Sequence, residues 1–121
     1  MSGPLLFPCS HGADAPERAT VPFIVAATAA VSGQDAIVVC TVDAVTLGLP
    51  DVAASVEEPG MPPLADLQRQ LVEGGGGIWL CSACALKRGI SGDSALVPGA
   101  TIVGAARIVE ALTQGRAITL S

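Results

Sequence analysis

Ala36-Ile37-Val38-Val39-Cys40 is an unbroken apolar run whose three central residues are all β-branched. A strand with one wet face alternates apolar and polar residues. A run without alternation is buried on both faces, as a parallel strand between helical layers is. Ser32-Gly33-Gln34-Asp35 supplies the turn before it, and Asp43 lies just beyond its end. The flanking sequence must then provide helices for both faces.

Upstream, Pro4 to Cys9 reads as a first strand, with Pro8 limiting its pairing. Ser10-His11-Gly12-Ala13-Asp14 follows as a loop. Asp14 and Glu17 have the spacing of a capping box, and Pro16 suits a first helical turn. The helix then runs to about Val31, with Phe23, Ile24, Ala27 and Val31 as its apolar face; Pro22 should kink it or delay its start. Downstream, Leu49 to Pro63 gathers Pro50, Pro59, Pro62 and Pro63 with Glu57, Glu58 and Gly60, the composition of a mobile loop or lid. Leu64, Leu67 and Leu71 line one face of a helix over 64–73, which the glycines 74–77 end. Ile78 to Cys81 is a third strand, and Ser82 to about Arg88 a short helix stopped by Gly89. A brief strand over 95–97, a helix over 101–113 and a last strand over 117–120 complete the pattern. This alternation predicts an α/β fold: an α/β/α sandwich on a mostly parallel open sheet of about five strands, as one domain over 1–121.

Half of the 121 residues are hydrophobic and only 14% are charged. A chain this small and apolar should leave greasy surface exposed, which predicts self-association. The aromatics are only Phe7, Phe23 and Trp79, so the core is aliphatic. A net charge of −5 argues against nucleic acid as a partner, because phosphate binding needs a basic face. No stretch approaches the roughly 20 apolar residues that span a bilayer. The first residues lack the basic start of a secretory signal, so the expected location is the cytoplasm.

In open α/β sheets, ligands bind beyond the carboxyl ends of the strands. Cys9, Cys40 and Cys81 each close a predicted strand, and His11 and Asp43 lie just past the first two. Cys81 also precedes a helix directly, where backbone N–H groups favour a thiolate. Cys84 lies one turn on, placed to act as a resolving thiol or a second ligand, and Arg88 extends that face and offers a positive charge. Cys9 and Cys40 fit buried filler as well as function, and His11 fits a base, a ligand or a backbone donor. A structural zinc site needs four ligands in close pairs; Cys9-x-His11 is a poor partner for Cys81/Cys84. No metal or cofactor is therefore assigned. A thioredoxin-like dithiol would sit after an early strand, and this pair sits on the third.

Three segments together resemble the DsrE/DsrF-like family. They are Cys9 to Phe23 (Cys-Ser-His-Gly-Ala-Asp-Ala-Pro-Glu-Arg-Ala-Thr-Val-Pro-Phe), Ser32 to Val45, and Ile78 to Ile90 (Ile-Trp-Leu-Cys-Ser-Ala-Cys-Ala-Leu-Lys-Arg-Gly-Ile). The tail from Val97 also fits. The resemblance implies a three-layer fold, trimers or hexamers, and persulfide transfer between donor and acceptor proteins through a cysteine after the third strand. That cysteine maps onto Cys81. The two alternatives are a non-catalytic module holding a metal or small ligand at the rim, with Cys9, His11, Cys40, Asp43 and Arg88 as binding residues, and a Cys-x-x-Cys redox protein.

Overall fold

The computed structural model describes residues 3–120. Its strands are β1 (Leu5–Cys9), β2 (Ala36–Cys40), β3 (Gly77–Cys81), β4 (Ala100–Val103) and β5 (Arg116–Ala117). All pair in parallel, in the order β4-β3-β2-β1-β5. The helices are α1 (Pro16–Val31), α2 (Pro50–Ser55), α3 (Leu64–Glu73), α4 (Ser82–Lys87) and α5 (Ala105–Gln114), with a 3-10 helix at Val42–Gly48. The central strand β2 is buried at every residue, as its unbroken apolar run requires.

Crossover handedness explains the layers. From β1 to β4 the chain marches in one direction across the sheet, so right-handed crossovers place α1 and α3 on the same face. There they pack together over Phe7, Val38, Ile78 and Leu80, with Phe23, Ala27, Leu64 and Leu71 fully inside. To reach β5 the chain must return past β1, and the same handedness puts α5 on the opposite face. Ala111 and Ile108 of α5 meet Leu6, Ile37, Val39 and Trp79 in a smaller apolar cluster. The Arg107 guanidinium stacks over the Trp79 ring at 5.1 Å. The result is a three-layer α/β sandwich with one thick and one thin helical layer.

Several local expectations are corrected. The Asp14/Glu17 capping box does not form: Ala15 is the N-cap, and an Asp14 carboxylate oxygen accepts from the Gly12 N–H instead. Pro22 does not delay the start of α1, which begins at Pro16; the proline ring is buried within the helix. The buried line of α1 is Ala19, Phe23, Ala26, Ala27 and Ala30, while Val31 is 71% exposed. The Pro-rich 49–63 segment is not a free lid. Its first half is α2, and Ala53 and Val56 are fully inside the main core. No strand forms at 95–97; β4 occupies residues that the helical reading of 101–113 had taken, because β-branched Thr101, Ile102 and Val103 pair with β3. The last strand is Arg116–Ala117 rather than 117–120. It pairs with Leu5 and Leu6 and stops short of Pro8, which has no N–H to give.

Candidate functional site

Strand register levels the carboxyl edge of the sheet. Cys9 stands opposite Cys40, Cys40 opposite Leu80, and Cys81 opposite Val103. Three cysteines thus end three adjacent strands, yet their environments differ sharply. Cys9 and Cys40 are 3% and 0% exposed, inside the main core. The Cys9 thiol leans on the carbonyls of His11 and Ala19. Burial pushes it from 9.0 up to about 11, a rise only partly opposed by the His11 backbone. Burial also pushes Cys40 well above its ordinary value, and the neighbouring Cys9 adds to the rise. Both are held as neutral thiols, so neither is a nucleophile at neutral pH.

Cys81 is the opposite case. It is the N-cap of α4 and is partly exposed. The backbone N–H of Cys84 holds its thiol below the ordinary value; partial burial opposes this, while the Cys84 thiol and the Ala83 backbone N–H reinforce it. The physical cause is local: the first turn of α4 leaves amides without intrahelical partners, and their positive end favours a thiolate at the cap position. Cys84 is also partly exposed. An open hollow of about 390 Å³ lies alongside, lined by Ser82, Ala83, Leu86, Ile90 and Ile102. A cavity of about 480 Å³ between α2 and α3 has no thiol in its lining.

Asp43 and Arg88 meet, although 45 residues separate them. One Asp43 carboxylate oxygen accepts from Arg88 Nη2 at 2.8 Å and Nε at 3.2 Å, while Arg88 Nη1 donates to the Cys84 carbonyl at 3.2 Å. Arg88 therefore ties the 3-10 helix to the end of α4. Its charge is paired with the Asp43 carboxylate. His11 lies elsewhere. It follows β1, two strands from β3, which is a lateral separation of about 10 Å between strand axes. Its Nδ1 is 3.3 Å from Ser10 Oγ, and it borders a cavity with Glu17, Arg18 and Leu120. Arg88 thus joins Asp43 to the helix that Cys81 caps and that carries Cys84, while Cys9 and Cys40 are enclosed in the core. Among the described residues, no three His, Cys, Asp or Glu side chains gather as a metal-holding group.

Sequence reasoning passed over two residues at this rim. Val42 has φ +52, a left-handed conformation strained for a β-branched residue. It turns the chain from β2 so that Asp43 faces Arg88. Gly12 packs so tightly that a Cβ there would lie 2.7 Å from the Asp43 carbonyl oxygen. A glycine after His11 was a visible signal for close approach; nothing in the sequence marks Val42.

The fold and rim define a parallel α/β protein with two partly exposed thiols at the carboxyl edge. The model of the DsrE/DsrF-like family matches residues 4–120, and the chain belongs to that family. Among solved structures, the ychN protein from E. coli is similar at a TM-score of 0.79, with 20% identity over 99% of this chain and 100% of that one. That likeness is one of fold. No curated protein matches by sequence.

Proposed function

We propose that this protein is a sulfur carrier in which Cys81 takes up one sulfur atom as a persulfide and passes it to an acceptor thiol. Membership of the DsrE/DsrF-like family points toward sulfur relay. The observation that supports Cys81 is the contrast among strand-end thiols: two are buried and held neutral, and one is accessible and lowered. Loading proceeds by attack of the Cys81 thiolate on a donor's sulfane sulfur, and delivery by attack of an acceptor thiol on the outer sulfur. No cofactor enters these steps. Homo-oligomerisation, as a trimer or hexamer, belongs to the same reading. It is supported by Val109 and Leu112 of α5, which are 58% and 46% exposed on the thin layer. A reducing cytoplasm would keep both rim thiols free. Among the described residues, no helix is long and apolar enough to cross a membrane.

Intact-mass measurement after incubation with polysulfide tests the proposal. Cys84→Ser should gain one reducible sulfur, and Cys81→Ser none. An adduct retained in Cys81→Ser, or none on Cys84→Ser with its thiols reduced, overturns it.

A further inference from the structure

The carrier reading uses one rim thiol and leaves the other without a task. Cys84 stands one helical turn from Cys81, in the first turn of the helix that Cys81 caps. Two cysteines so placed are within reach of a disulfide, whose Cα atoms lie about 4.4–6.8 Å apart. In the protein described here both are free. Both are partly exposed, whereas Cys9 and Cys40 are enclosed and held protonated. Whatever happens to a sulfur on Cys81, Cys84 is therefore the intramolecular thiol that can respond.

The position of Cys84 also decides which atom it reaches. An incoming acceptor meets the exposed outer sulfur of a Cys81 persulfide first. Cys84, in the first turn of the helix that Cys81 caps, has the inner one, the Cys81 Sγ itself, within disulfide reach. Attack on the inner sulfur has a different product from attack on the outer.

We propose that Cys84 is a discharge residue: it attacks the inner sulfur of a Cys81 persulfide and expels the outer sulfur as hydrosulfide. The inference rests on Cys81 as the persulfide site. The balance is closed within the chain. A bond forms between Cys84 Sγ and Cys81 Sγ while the bond from Cys81 Sγ to the outer sulfur breaks. The Cys84 thiol proton ends on the departing sulfur, which leaves as HS⁻. The sulfane sulfur is reduced by two electrons, and the cysteine pair is oxidised to a disulfide. An external dithiol reductant reopens the disulfide. A loaded protein thus has two exits, delivery to an acceptor or release as sulfide, and the one taken depends on whether an acceptor arrives first.

The test loads wild type, Cys84→Ser and Cys84→Ala with polysulfide, removes the excess anaerobically, and follows each without an acceptor. Intact mass reports the adduct, monobromobimane traps released sulfide, and peptide mapping identifies the disulfide. Wild type should lose its added sulfur, release sulfide in proportion, and end with Cys81 joined to Cys84. Both Cys84 variants should hold the adduct at least about tenfold longer, because external attack is then the remaining route. Equal adduct lifetimes in wild type and variants overturn the discharge role while leaving Cys81 as carrier. Sulfide release without a Cys81–Cys84 disulfide does the same. If neither Cys84 variant loads a sulfur, the carrier reading falls, and the discharge role with it.

Discussion

Cys81 and Cys84 differ in what each gives the other. The backbone N–H of Cys84 is the largest pull on the Cys81 thiol, larger than the opposing burial, and the Cys84 side chain is a smaller contribution. This ordering makes a prediction that distinguishes backbone from side chain. Cys84→Ala removes the thiol donor and keeps the amide. The pH midpoint for Cys81 alkylation by iodoacetamide should therefore rise relative to wild type, yet stay below that of an ordinary thiol. The sign follows from ionisation: a lowered thiol is reactive from a lower pH upward. A midpoint at or above the ordinary value in Cys84→Ala would show that the side chain, not the amide, activates Cys81.

Among the elements, the sequence was most informative where burial is complete. The β2 run and the Leu64/Leu67/Leu71 stripe of α3 each have one periodicity and one reading, and both elements stand where that reading puts them. The errors fall where local chemistry and tertiary contacts compete. Thr101-Ile102-Val103 suits the helix that begins soon after it, but an open edge beside β3 was available and β-branched residues fill it. The prolines around α2 suggest looseness, but Pro50 begins a helix and the core draws Ala53 and Val56 inward. At the rim, the placing of thiols at strand ends follows from strand boundaries alone. The pairing of Asp43 with Arg88 depends on how two loops meet, and the strained turn at Val42 has no sequence signature. One glycine tests how tightly these elements are joined. A Cβ on Gly76, between α3 and β3, would lie 2.4 Å from Leu71 Cδ1 and 2.7 Å from the Ala36 carbonyl oxygen. Gly76→Ala should destabilise by about 1–3 kcal/mol through overpacking. Gly92→Ala, where a Cβ meets nothing within 4 Å, should change stability far less. Urea midpoints of the two variants would show the difference.

The whole molecule stores a pH dependence in its inert thiols. Folding holds Cys9 protonated up to about 11, from an ordinary value of 9.0, and Cys40 shifts the same way. Between those values the unfolded chain has released protons that the folded chain keeps. Stability should therefore be intact below about pH 9 and fall as pH rises toward 11. The window is unusually clean, because the chain has no tyrosine and its only lysine is Lys87. The urea midpoint should decline across this range in wild type. Cys9→Ala/Cys40→Ala should decline less steeply, whatever its starting stability; parallel declines would refute the assignment.

The burial of the strand-end thiols has a further consequence. Cys81 is partly exposed where β3 passes into α4, whereas Cys9 and Cys40 close β1 and β2 inside the core. Reactive sulfur is thus kept at the surface, and the core has the same element in its unreactive form. Substitutions at the surface alter chemistry with little effect on folding, and substitutions in the core do the reverse. Under selection, the two can vary separately. A relative could lose the rim pair, or keep one thiol of it, and still inherit an undamaged scaffold.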